Sequence, residues 1–150
     1  WAALDCAPPL EQLGCFSNDA WVVAMTDGVI VRSDNGAVVQ DTDGDNRLET
    51  GWTILYMHIE TRNRVAVGTF LRAGDRIGHP SCEGGISSGT HVHLARRYNG
   101  EWISADGDLP FVMDGWEAVG SGVYYDGYMQ RSDHIIDACE CQDPLNTIQR

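Results

Sequence analysis

Short apolar runs of strand length, separated by turn residues, recur along most of the chain. Residues 21–25, 29–32 and 37–40 are such runs, and the last two are joined by Asn35-Gly36. Asn-Gly between apolar runs is a strong hairpin signal because both residues tolerate positive φ. The pattern therefore predicts a meander of short antiparallel strands with tight hairpins.

Two later segments combine strand patterns with histidine. Residues 52–58 are apolar on both faces, which is typical of a central covered strand, and they end in His58. His91 and His93 are two residues apart, so in a strand they point to the same face and can converge on one ion or one substrate atom. A strand histidine can equally be a packed, hydrogen-bonded residue, so these positions alone leave a structural role open.

The remaining pattern predicts one β domain followed by a tail. Glycine corners break residues 63–78 into short strands, and Asn99-Gly100 predicts a second hairpin. The segment from residue 130 is acidic, contains cysteines and shows no regular periodicity. We expect a mainly β domain over residues 1–128 and an irregular, acidic, cysteine-bearing C-terminal tail over residues 129–150.

The net charge and the cysteine content limit which binding partners and which cellular compartment we expect. Twenty-two acidic residues against 10 basic ones give a net charge of -12, so we expect no nucleic-acid partner. No apolar run is long enough to span a bilayer, which predicts no membrane insertion. The five cysteines show no C-x-x-C pairing, so disulfides in a secreted or cell-envelope protein fit better than a thiolate zinc site. Their pairing stays open.

An acidic loop raises a second metal possibility. Asp41, Asp43 and Asp45 alternate as in the opening of a calcium loop, but Gly44 falls at the fourth position and Trp52 stands where a bidentate glutamate is required. The pattern favours a solvated hairpin tip. An extracellular β module that holds calcium here is an alternative interpretation.

A series of motifs resembles a known enzyme family. The series consists of TDGV at 26–29, YMH at 56–58, VG at 67–68, AGDRIG at 73–78 and SGTHVHL at 88–94. In order and approximate spacing these motifs resemble those of the LytM-type (lysostaphin-like, M23) zinc metallopeptidases, and the similarity runs from about Asp5 to Trp102. The resemblance implies a LytM/M23-like β-sandwich.

The same resemblance implies roles for individual residues. His93 and Asp5 correspond to zinc ligands, with one Zn²⁺ per chain, and His58 and His91 correspond to the histidines that orient the attacking water and stabilise the oxyanion. The family's remaining ligand is a histidine before the aspartate, commonly four residues earlier, where this sequence has Trp1. We expect that histidine upstream of residue 1; a degenerate member that has lost a ligand is the alternative.

The implied function is zinc-dependent endopeptidase activity on bacterial peptidoglycan peptides. The glycine- and serine-rich loop at residues 84–90 suits a slim peptide of small residues. The alternative is a catalytically silent LytM-like domain that binds cell-wall peptide or activates a partner hydrolase.

Overall fold

The computed structural model describes residues 1–9, 13–139 and 144–148, and its regular structure is almost all β. The strands in chain order are β1 Ala3–Cys6, β2 Val22–Val23, β3 Gly28–Asp34, β4 Ala37–Asp41, β5 Trp52–Met57, β6 Phe70–Leu71, β7 Arg76–Gly78, β8 Val92–Tyr98, β9 Glu101–Ile103, β10 Val112–Met113, β11 Trp116–Gly120, β12 Gly127–Arg131 and β13 His134–Asp137. A short 3₁₀ helix, Pro144–Asn146, follows them.

The largest sheet is antiparallel and carries most of these strands. Its order is β1-β8-β5-β4-β3-β6, and β9 pairs with β8 on the side that β1 also uses. A separate sheet has the order β10-β11-β12-β13, and β2 pairs with β7. The predicted antiparallel β fold is therefore confirmed.

Both Asn-Gly hairpins form where the sequence predicts them. Asn35 and Gly36 have φ values of 44° and 72° between β3 and β4. Asn99 and Gly100 have φ values of 49° and 80° between β8 and β9. Paired positive φ angles match the twist of the flanking strands, which explains why these dipeptides form the turns.

One face of the large sheet packs into the core. Ile30, Val38, Tyr56 and Leu94 come from four neighbouring strands and are buried in one cluster. The β2–β7 pair and residues 105–118 also contribute to this cluster. The side chains that alternate with the core residues, such as His93 on β8, therefore lie on the opposite face of the sheet.

The prediction of an irregular tail is wrong for residues 129–137. Strands β12 and β13 pair with each other and β12 pairs with β11, around a turn in which Ser132 has a φ of 56°. Each strand is short and mixed in polarity, so pairing with a neighbour rather than local pattern determines it. Strand β12 runs across residue 128, and the division into a domain over residues 1–128 and a tail over residues 129–150 stays a prediction.

Cys15, Cys82 and Cys6 differ in their bonding. Cys15 and Cys82 are bonded across a separation of 67 residues, whereas Cys6 on β1 is a free, half-buried cysteine. Burial, assisted by the charge of Asp5, raises the pKa of the Cys6 thiol to about 11, so it is protonated at neutral pH. Cys141 lies outside the described residues.

The described chain has no helix long and apolar enough to cross a membrane.

Candidate active site

The pairing of β1 with β8 brings an aspartate and a histidine together from distant parts of the sequence. Asp5 lies directly opposite His93 in this register. The His93 Nδ1 and Asp5 Oδ1 atoms are 2.8 Å apart, although the residues are separated by 88 positions. Both side chains lie on the sheet face opposite the core. The structure thus juxtaposes the two residues that the resemblance implies as zinc ligands.

His91 lies beside this pair with one ring nitrogen already engaged. Its Nδ1 is 2.8 Å from the carbonyl oxygen of Gly89, which can only accept a hydrogen bond, so Nδ1 carries the proton. Its Nε2 lies 3.6 Å from Asp5 Oδ1. His91 therefore presents Nε2 towards the Asp5–His93 pair.

His58 completes a group of three histidines. It follows β5 directly, has a φ of 63° and is 5% exposed. Such a φ is unusual for a residue with a Cβ and is seen at functional sites. Its Nδ1 donates to the carbonyl of Glu83 over 2.9 Å, which leaves Nε2 as the acceptor. Its ring centroid lies 4.4 Å from that of His91 and 6.3 Å from that of His93.

The loop that supplies this carbonyl is fixed by several contacts. The Glu83 carboxylate accepts hydrogen bonds from the Thr61 backbone N–H at 2.9 Å and from the Thr61 hydroxyl at 2.6 Å, and it lies 3.6 Å from Arg64. Cys82, the preceding residue, carries the disulfide. Sequence patterns do not single out Glu83, because a main-chain carbonyl leaves no signature among side chains.

The surroundings of the site shift the pKa values of Asp5 and His58 and so decide their charges. Burial alone would raise the pKa of Asp5. The hydrogen bond from His93 and the charges of the surrounding histidines lower it by more than burial raises it, so the pKa of Asp5 lies below its usual value. Burial is the main reason that the pKa of His58 is below its usual range, partly opposed by the bond to the Glu83 carbonyl. At neutral pH, Asp5 is therefore ionised and His58 is neutral.

The donors at this site fit zinc in part. Carboxylate oxygen and imidazole nitrogen are both zinc ligands, and Asp5 and His93 hold them in contact. Four residues before Asp5, the largely exposed indole of Trp1 offers no metal-binding atom. Within the described ranges this face therefore supplies the two implied ligands and not the third.

The acidic loop at residues 41–45 holds a separate group of possible metal ligands, made of carboxylates alone. Ligand oxygens of Asp41, Asp43 and Asp45 lie within 4.8 Å of one another, and this is the one such group of three found in the part of the chain that is described. Asp41 is buried and accepts backbone N–H bonds from Asp43 and Asn46, among others. Its carboxylate therefore already serves to hold the loop.

A groove on the site face extends away from the histidines. The cavity is about 280 Å³ in volume and begins beside the site at Met57 and Gly84. It ends at Arg97 and Trp102, and the other residues that line it are Arg32, Asn35, Ala37, Val39, Leu48, Thr53 and Leu55. The groove is large enough to hold part of an extended peptide.

The β architecture and the histidine group match one class of proteins. Residues 14–105 match Peptidase family M23, so the chain belongs to this family of metallopeptidases. The matched range includes the three site histidines but not Asp5. Among solved structures, the chain is similar to the one described as "A Novel M23 Metalloprotease Pseudoalterin from Deep-sea", with 25% identity, a TM-score of 0.70, and coverage of 91% of this chain and 79% of that chain. No curated protein sequence matches significantly.

Proposed function

We propose that the chain is a zinc-dependent endopeptidase domain that cleaves peptide bonds of bacterial peptidoglycan. The observation that carries the proposal is the convergence of Asp5 and His93 on one sheet face, beside two histidines and a groove. Asp5 and His93 would hold the ion, and the third protein ligand would come from outside the described residues. Zinc, when bound, activates water and polarises the scissile carbonyl.

The two remaining histidines divide the proton chemistry in this proposal. His58 takes a proton at Nε2, because its Nδ1–H is held by the Glu83 carbonyl and its lowered pKa keeps it neutral. His91, when protonated, donates from Nε2 to the oxyanion of the tetrahedral intermediate, since its Nδ1 is bound to Gly89. Loss of either group should reduce the rate by about a hundredfold or more.

A peptide rich in small residues suits the approach to the site. Gly85 has no side chain, and a Cβ there would lie 3.6 Å from the Met57 methyl and 3.7 Å from His58 Cε1. The loop from Gly84 to Thr90 is mostly glycine and serine. The disulfide is typical of oxidising compartments, which supports a secreted or cell-envelope location where peptidoglycan lies.

A second candidate is a catalytically silent domain that binds cell-wall peptide or activates a partner hydrolase. The observation that favours it is Trp1, which stands where the family commonly has a ligand histidine. With two protein ligands, the site would bind zinc weakly and hydrolyse poorly.

Zinc content and peptidoglycan hydrolysis test the proposal together. Elemental analysis should find about one zinc per chain in the wild type, with strong loss in Asp5→Ala and in His93→Ala. His134→Ala is the control, because His134 is an exposed histidine of β13, in a different sheet. His58→Ala should retain zinc and lose hydrolysis.

Each outcome distinguishes the candidates. Zinc that remains in His93→Ala would refute the ligand assignment. Cell-wall peptide binding without hydrolysis in the wild type would support the silent domain, and calcium without zinc would support the calcium-binding module.

A further inference from the structure

The groove beside the site differs in charge from the rest of the chain. The whole sequence has 22 acidic and 10 basic residues. Among the described residues that line the groove, Arg32 and Arg97 are charged and neither aspartate nor glutamate is present. A cationic groove in an acidic protein attracts an anionic ligand and gives it few alternative positions.

Arg97 is the arginine that remains available in this groove. Arg32 is engaged through Nε and Nη2 by Asp34, at 3.0 Å and 2.8 Å. Within the described ranges, Arg97 has no carboxylate within ion-pair distance and its buried Nε has no hydrogen-bond partner. Because this Nε is closed off from solvent, a ligand would be bound by the outer Nη nitrogens of Arg97, which no carboxylate of the described residues engages.

Trp102 holds this guanidinium in a fixed position. Trp102 lies opposite Arg97 in the β8–β9 register, and the guanidinium carbon lies 3.8 Å from the centre of a Trp102 ring. Stacking of a planar guanidinium on an aromatic ring leaves its edge free to bind a carboxylate through two parallel hydrogen bonds. The pair is therefore preorganised to receive a carboxylate.

The distance to the site defines where that carboxylate would be. Arg97 follows His93 by four positions on the same strand and face of β8. At about 3.3 Å per residue, the two side chains are about 13 Å apart along the sheet. An extended peptide covers that distance in about four residues.

We propose that Arg97 and Trp102 form a subsite for a carboxylate of the peptide substrate, about four residues from the bond that is cleaved. The inference rests on the proposed endopeptidase function and adds a specificity determinant to it. The carboxylate belongs either to an acidic side chain or to the free C-terminus of the peptide. Both sources present the same planar anion to the guanidinium.

Matched peptides test the subsite by cleavage. Three glycine-rich peptides are compared: one with a free C-terminal carboxylate about four residues from the central glycyl bond, one amidated peptide with glutamate there, and one amidated peptide with glutamine there. In the wild type, kcat/KM for at least one carboxylate peptide should exceed that for the glutamine peptide about tenfold or more. The preferred peptide identifies the source of the carboxylate.

Three variants separate the subsite from a general charge effect. In Arg97→Gln the preference for the carboxylate should be lost, and in Arg97→Lys it should be reduced because the two-point hydrogen bonding is lost. Arg72→Gln removes the same charge from an exposed loop position and should keep the preference. A merely structural role of Arg97 would lower kcat/KM for all three peptides equally, and that result would overturn the inference.

A binding measurement keeps this test independent of hydrolysis. Calorimetric titration of the same peptides in the presence of a chelator should give about tenfold tighter binding of the preferred carboxylate peptide to the wild type than to Arg97→Gln. If the wild type cleaves none of the peptides but shows this difference, the endopeptidase proposal fails and the subsite stands. Equal affinities of the wild type for all three peptides would overturn the subsite.

Discussion

Replacing Gly84 with alanine tests how the loop that orients His58 is held in place. Gly84 has a φ of 83°, and a Cβ built on it would lie 2.2 Å from the carbonyl oxygen of Asn35. The contact is mutual, since a Cβ on Gly36 would lie 2.5 Å from the carbonyl carbon of Glu83. The tip of the β3–β4 hairpin and the Glu83 loop therefore touch through two glycines.

The structure gives two separate costs for this substitution. Placing alanine at a left-handed φ costs about 1–2 kcal/mol. Inserting a methyl group against main-chain atoms that cannot move freely costs about 1–3 kcal/mol more. We therefore expect Gly84→Ala to lower the free energy of unfolding by about 2–5 kcal/mol, or the melting temperature by about 2–4 °C for each kcal/mol.

Gly68→Ala is a matched control for the first of these costs. Gly68 has a φ of 85°, and a Cβ there would meet nothing within 4 Å. Both variants thus carry the same backbone penalty, and only Gly84→Ala adds the clash. Chemical denaturation followed by tryptophan fluorescence measures both, and Gly84→Ala should be less stable than Gly68→Ala by about 1–3 kcal/mol.

The same pair of variants tests the link to His58. Displacement of the loop moves the Glu83 carbonyl, so the NMR signal of the hydrogen-bonded imidazole Nδ1–H proton of His58 should disappear in Gly84→Ala and remain in Gly68→Ala. If the two variants have equal stabilities and both retain this proton, the docking of the loop against the hairpin does not position His58.

Two further predictions concern stability. Cys15→Ser with Cys82→Ser opens a loop of 67 residues and should cost about 4 kcal/mol, measured as the difference in unfolding free energy from the oxidised wild type; a difference below about 1 kcal/mol would contradict the estimate. Tyr56→Phe removes a hydroxyl that donates to Gln40 and accepts from the Met25 N–H, so it should cost about 1–3 kcal/mol in thermal denaturation; an unchanged melting temperature would contradict this reasoning.

The elements that local chemistry determines could be predicted from sequence. The two Asn-Gly turns require positive φ at adjacent residues, and few other dipeptides supply it. The alternation in His91-Val92-His93 predicts a shared face, and the structure places Val92 in the core and both histidines on the other side. The strands β12 and β13 were missed because partner strands, rather than their own pattern, stabilise them.

The candidate site could be predicted only in part. A resemblance was needed to single out Asp5, since a lone aspartate near a proline-rich turn has no chemical signature of its own. The orienting carbonyl of Glu83 and the available guanidinium of Arg97 were not anticipated, because each depends on which loops and strands become neighbours. Periodicity along one segment does not show which distant strands and loops will become neighbours.

The 88-residue separation of Asp5 and His93 limits how early during synthesis and folding the candidate site can form. Contacts between distant parts of a chain form slowly, because closing the intervening loop costs entropy before the contact stabilises it. A chain still emerging from the ribosome, with β8 not yet synthesised, cannot assemble the two ligands. Under the proposed function, the two residues that would hold zinc can meet only after synthesis has passed residue 93.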